Sequence, residues 1–214
     1  MKLYSYFRSS AAFRVRIALN LKGVTYEYVP VHLLKGGGQQ FAEAYARTNP
    51  LSLIPALEDD GQVLTQSLAI IEYLDERYPE PPLLPADPLS RAYARAIALS
   101  IACDIHPLNN LRVLRYLVRD LGMPDEKKDA WYRHWIGLGL GQLERVLVSG
   151  GRSGRYALGE QVTVADLAIV PQIFNARRFD CDLSGAPTLS AIADRCMQLD
   201  AFIRAQPSEQ PDAE

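Results

Sequence analysis

Cysteine is scarce in this sequence and poorly spaced for chemistry: Cys103, Cys181 and Cys196 are the only three in 214 residues, with no CxxC pair. An odd, scattered set argues against both a disulfide framework and a zinc site. The expectation is three small hydrophobes buried in helices, and no metal centre. An excess of charge of one sign is lacking too. Lys and Arg number 23 against 25 Asp and Glu, a formal net charge of −2, so the basic footprint of a nucleic-acid binder is missing. No apolar run approaches the ~20 residues that cross a bilayer, and the leading MKLYSYFRSS has no apolar core of a secretory signal. The reading is a soluble, cytoplasmic protein with no membrane and no nucleic-acid partner. The glycines at 36–38 are not followed by Lys-Ser/Thr, which rejects a phosphate-binding P-loop and leaves a flexible loop.

What is present falls into two halves. Residues 1–78 alternate short β-like runs with helical ones: KLYSY, a helix stopped by Gly23, YEYVPV, a helical stretch around Gln40 to Arg47, PALED, QVLT, and the helix SLAIIEYLDERY. The order is strand-helix-strand, then helix-strand-strand-helix. Residues 79–88, PEPPLLPADP, hold five prolines in ten positions and can be neither helix nor central strand. They are taken as a linker. Residues 89–214 are read as an all-helical domain, with Pro107 breaking one long helix, Gly122 ending it, and QPSEQPDAE as a loosely ordered polar tail. The fold class is thus α/β plus all-α.

The head of the first helix raises a functional question. In FRSSAAFRVRIALNLKG the positions Ala11, Ala12, Val15, Ala18 and Leu19 recur at helical steps, and Ser9 or Ser10 is a natural N-cap. Capping alone explains a serine here. A helix N-terminus also offers free N–H groups and partial positive charge to an anion such as a thiolate, and the chain has no cysteine of its own at this place. Further along, Asn49-Pro50 and Ile54-Pro55 precede a strand, where an X-Pro turn can be cis and can expose main-chain groups to a peptide-like ligand. Gln66-Ser67 opens another helix, whose cap and first N–H groups suit a carboxylate. Thr163-Val-Ala-Asp166 reads as a structural capping box.

Taken together, SSxxxRVRIALNLKG, NPxxxIPAL, QSLAIIEYL, DIHPLNNLRVL and TVADLAIVPQ resemble the zeta-class glutathione transferases of the bacterial maleylacetoacetate isomerase family, in order and over nearly the whole chain. The resemblance implies a thioredoxin-like N-terminal domain that binds glutathione, a helical C-terminal domain that supplies the substrate pocket, and a homodimer. It places the thiol-activating motif on Ser9, Ser10 and Ala11, with alanine where many members carry cysteine, so that the thiol is borrowed from glutathione. Its glutathione contacts fall on Gln40, Ile54, Gln66, Ser67, His106 and Asn110. Arg8, Arg112 and Arg177 are candidates for the carboxylates of a dicarboxylic substrate. Arg112 also reads as a solvated helix charge, and Arg177, with Arg178, as cations favoured at a helix C-terminus.

The implied reaction is glutathione-dependent cis–trans isomerisation of a maleyl-type diketo-acid: thiolate addition, bond rotation and thiolate expulsion. Three other readings stay open. Maleylpyruvate differs from maleylacetoacetate only beyond the diketo-acid, a general transferase would conjugate glutathione to electrophiles, and a non-catalytic binding protein could use the same fold.

Overall fold

The computed structural model describes residues 1–214 and divides into two compact units, Met1–Leu84 with Gln198–Glu214, and Pro85–Met197. In the first, strands β1 (Lys2–Ser5), β2 (Glu27–Pro30), β3 (Ala56–Asp59) and β4 (Gln62–Thr65) form one sheet in the order β2-β1-β3-β4. β1 and β2 are parallel, and β3 is antiparallel to both β1 and β4. Two antiparallel steps make β1 and β4 parallel to each other. The register pairs Tyr4 with Ala56 and Ala56 with Thr65. The ends of β1 and β4 and the start of β3 therefore lie along one edge of the sheet.

Helix α1 (Ser10–Leu21) connects β1 to β2, and its neighbour α3 (Ser67–Arg77) follows β4, after the short α2 (Glu43–Thr48). α1 is not a surface helix with one apolar stripe. Every residue from Ala12 to Leu19 is buried, Arg14 and Arg16 included. Two guanidiniums in a helix interior are tolerated only if hydrogen-bonded. Arg16 donates to Ala205 O, Ser5 Oγ, Tyr6 O and Phe7 O, and burial pushes its pKa down to about 10. Lys22 at the end of α1 bonds Asp75 Oδ1 and Pro81 O, both at 2.6 Å. Asp75 also accepts from the N–H groups of Leu83 and Leu84, so one half-buried carboxylate ties down the proline-rich segment.

The second unit is built from helices, with one isolated bridge, Ser153 to Gly159, in the loop between two of them. α4 (Pro88–Leu99) begins at the last proline of the linker, with Asp87 as its N-cap. It then widens into a π-helical turn, Ser100–Ile105, and tightens into a 3₁₀ turn, His106–Asn109, before α5 (Leu111–Arg119). The break expected at Pro107 is there, since a proline ring cannot continue the i→i−4 ladder. The core is built by α6 (Asp125–Gly150), α7 (Val164–Arg178) and α8 (Pro187–Cys196). Glu144 of α6 caps α8 through Thr188 N and Leu189 N.

The capping box is formed as expected. Asp166 accepts from Thr163 N, Thr163 Oγ1 and, beyond the box, Ala157 N. Burial pushes its carboxyl up to about 6, against these donors. Asp166→Ala should orphan three buried donors and lower unfolding stability by about 2 kcal/mol. An unchanged urea midpoint would reduce the motif to decoration.

Two expectations need correction. The last residues are not a loose tail of the helical domain: after α8 the chain forms α9 (Asp200–Ile203) and a 3₁₀ turn, Pro207–Glu209, and belongs to the first unit. Pro207 and Gln210 are buried, and the Gln210 amide closes the turn on Arg204 O and Gln206 O. The cysteines also differ from a uniformly buried set. Cys196 is buried in α8 and Cys181 is buried in a loop, but Cys103 is exposed in the π-helical turn.

Candidate active site

The sheet edge described above collects the first unit's candidates. Ser9 and Ser10 follow β1, Gln66 and Ser67 follow β4, Ile54 precedes β3, and the segment from β2 to α2 carries Gln40. Two helix N-termini therefore point to one side of the sheet, each with unsatisfied N–H groups and a partial positive charge.

Ser9 is the N-cap of α1, with extended backbone, and its Oγ accepts from Ala12 N at 3.2 Å. The hydroxyl oxygen is thereby engaged while its proton is left to donate. Capping and thiolate stabilisation are not alternatives at Ser9, because they use opposite ends of one O–H group. Ser10 is the first helical residue and is buried. The preceding turn is closed by Ser9 N donating to Tyr6 O at 2.9 Å. Arg8 is exposed on that turn, its guanidinium 4.7 Å from the Phe7 ring centroid.

At the second helix start, Gln66 holds a positive φ of 68°, rare for a residue with a side chain, and Ser67 is buried. Arg14 Nη1 donates to Ser67 Oγ at 3.2 Å, so a buried cation on α1 sits behind the N-terminus of α3. Arg14 is the residue beside these candidates that sequence reading missed. No local pattern signals it, because an arginine in a helix ordinarily reads as facing solvent. Ile54-Pro55 is cis, whereas Asn49-Pro50 is not, and the main chain of Ile54 takes part in no backbone hydrogen bond. The approach to it is braced by Leu53 O, which accepts from Tyr45 Oη and Asn49 Nδ2. Gln40 is buried with its Oε1 unpartnered. Gly38, at φ 121°, leaves room for it, because a Cβ there would lie 2.7 Å from the Gln40 amide.

The remaining candidates lie in the helical unit. His106 is half-buried at the start of the 3₁₀ turn. Asn110 caps α5, its Oδ1 accepting from Arg112 N at 3.1 Å, and Arg112 is exposed. Arg177 forms an ion pair with Asp194 at 2.8 Å, both side chains being about half exposed (45% and 59%).

A thioredoxin-like sheet with paired helix N-termini, followed by a helical unit, is the architecture of the glutathione transferases. Residues 3–82 match the family model for the glutathione S-transferase N-terminal domain. A probable maleylacetoacetate isomerase of Vibrio cholerae is 52% identical over 99% of this chain and 97% of its own. The holo structure of a bacterial zeta-class maleylpyruvate isomerase superposes with a TM-score of 0.96 at 47% identity, covering both chains fully. A Methylobacterium extorquens maleylacetoacetate isomerase with bound malonate and glutathione gives 0.95 at 42% identity, again over both chains fully. The chain belongs to the zeta-class glutathione transferases, in the family of maleylacetoacetate and maleylpyruvate isomerases.

Proposed function

We propose that this protein isomerises maleylacetoacetate to fumarylacetoacetate in aromatic amino acid catabolism, with glutathione as cofactor, as a cytoplasmic homodimer. The observation that carries the reading is the single sheet edge from which both helix N-termini emerge, one headed by Ser9 and Ser10 and the other by Gln66 and Ser67. That no helix is long and apolar enough to cross a membrane is compatible with this placement.

The residues fit glutathione, a small peptide with carboxylates at its ends. Ser67 and the first N–H groups of α3 suit the γ-glutamyl carboxylate, with Arg14 adding positive charge behind them. The open main chain of Ile54 suits the cysteinyl unit, and the unpartnered Gln40 Oε1 offers a further acceptor. His106 and Asn110 are assigned to the same ligand on family resemblance. When bound, glutathione supplies a thiolate that adds reversibly to the cis double bond and so frees it to rotate. The chain's own part is to hold that sulfur ionised at Ser9 and to orient a dianion above it. Arg8 is assigned to the near carboxylate. The far one is assigned to Arg177 or Arg112. Release of Arg177 from Asp194 costs little, because exposed ion pairs are worth about 0–1 kcal/mol.

Turnover of maleylacetoacetate and maleylpyruvate measured side by side tests the reading. The expected result is glutathione-dependent formation of the trans product at constant total thiol, with maleylacetoacetate preferred. Maleylpyruvate is the second reading, because a maleylpyruvate isomerase matches the chain over its full length. Thiol consumption instead would identify a conjugating transferase. Ser67→Ala should weaken glutathione binding by about 1.5–3 kcal/mol, roughly 10- to 150-fold, through one lost hydrogen bond to a charged group. Calorimetry giving the parent affinity would remove Ser67 from the site.

A further inference from the structure

The turn that presents Ser9, closed locally by Ser9 N on Tyr6 O, is held from outside as well. The main chain of Phe7 and the carbonyl of Tyr6 are bonded by Asp212 and Arg16. Phe7 N donates to Asp212 Oδ2 at 3.1 Å, and Phe7 O accepts from Arg16 Nη2 at 3.0 Å. Tyr6 O accepts from both Ser9 N and Arg16 Nη1. Arg16 reaches the C-terminal segment as well, through Ala205 O at 2.9 Å, and Asp212 is oriented by Tyr28 Oη, which donates to its other oxygen at 2.6 Å. Burial and the Asp212 partner push the Tyr28 phenol well above its usual range, keeping it a donor. Glu214 adds an ion pair to Lys35 at 2.6 Å, but both side chains are well exposed and such a pair holds little. The buried and half-buried bonds of Asp212 and Arg16 are the ones that count.

We propose that the segment from Ala205 to Asp212 is a strap that sets the thiol-activating turn, with Asp212 as a positioning residue for Ser9. It acts through Phe7: the carboxylate fixes the Phe7 amide, Arg16 fixes the Phe7 carbonyl, and the two together leave the Ser9 hydroxyl one orientation from which to donate. An N-cap geometry correct for helix formation tolerates some drift of the hydroxyl. Donation to a sulfur held by a separate ligand does not. The inference rests on the reading of Ser9 as hydrogen-bond donor to the glutathione thiolate.

Asp212→Ala, Asp212→Asn and Tyr28→Phe test it by two independent readouts. Amide hydrogen exchange needs no ligand: Phe7 and Ser9 should exchange at least ~10-fold faster in Asp212→Ala, while the first turn of α3 exchanges as in the parent. Asp212→Asn, which keeps one acceptor, and Tyr28→Phe, which keeps the Phe7 bond, should fall between and remain folded if alanine is not tolerated. With glutathione bound, the thiol should titrate at higher pH in the same order, and kcat should fall roughly tenfold while KM for glutathione changes less than about twofold. Parent-like exchange at Phe7 and Ser9 in folded variants overturns the strap. So does a lowered stability with an unmoved thiol titration, which is the signature of a merely structural tail. Failure of the parent itself to bind glutathione would overturn the functional reading, leaving the exchange experiment to judge the strap alone.

Discussion

Arg8→Met should cut kcat/KM for the dicarboxylate substrate by roughly 30- to 1,000-fold, or about 2–4 kcal/mol, with glutathione affinity nearly intact. Arg8 is exposed on the turn immediately before Ser9, and its guanidinium lies against the Phe7 ring. That contact restrains a flexible side chain beside the turn. A planar fork then matches a carboxylate bidentately, a geometry lysine cannot reproduce, so Arg8→Lys should recover part of the loss and not all of it. The magnitude depends on the carboxylate being partly desolvated, because an exposed pair would contribute under about 1 kcal/mol. An uncharged electrophile supplies the control, and its conjugation should be nearly unaffected. Equal losses on charged and uncharged acceptors, or lost glutathione binding, would return Arg8 to the fold or to the glutathione site and remove the main support for a dianionic substrate.

The elements that place this site were legible because they depend on short-range rules. Alternating runs gave the strands, Pro107 gave the break, and Thr163 with Asp166 gave the capping box. What escaped was long-range. Periodicity treats a charge in a helix as facing water, yet Arg14 and Arg16 are buried in α1, Arg14 donating to Ser67 Oγ and Arg16 to Ala205 O, partners far away in the chain. The polar, proline-bearing end read as loose for the same reason. Its composition offers little apolar area, and what holds it is Asp212 on Phe7 and Tyr28, together with Gln210 on its own turn. The widening of the chain into a π-helical turn before His106 had no composition signal either. The first helix start was legible because Ser9 is its cap, whereas at the second Ser67 does not cap: Gln66 is the N-cap, without a side-chain cap bond, and Ser67 is the first helical residue. Arg14, which sits behind that second start, announces nothing.

The capping geometry also bears on the choice between Ser9 and Ser10, which the sequence leaves open. Ser9 Oγ accepts from Ala12 N, and that bond leaves its proton available to donate. Ser10 is buried as the first residue of the helix. A free thiol with a pKa of ~8.5 is only a few per cent ionised near neutrality, and a fall of about two units, ~2.7 kcal/mol, makes most of it nucleophilic. A hydrogen bond to a charged acceptor supplies roughly 1.5–3 kcal/mol of this and the helix N-terminus ~0.3–1. The hydroxyl is therefore the larger contributor. Ser9→Ala should raise the titration midpoint of bound glutathione, followed by thiolate absorbance, by about 1.5–2 units, and lower kcat/KM near pH 7 roughly 8- to 25-fold through the smaller thiolate fraction. The sign follows from which form the serine stabilises. Loss of a donor to the thiolate moves ionisation to higher pH, so much of the deficit should be recovered as the pH is raised toward 9. The same substitution removes a cap and should cost about 1 kcal/mol of stability, too little to unfold the chain and independent of the pH profile. Ser9→Thr, which keeps the hydroxyl, should restore both. If Ser9→Ala titrates like the parent while Ser10→Ala does not, the donor is Ser10. If neither moves the midpoint, the backbone N–H groups of α1 ionise the thiol unaided.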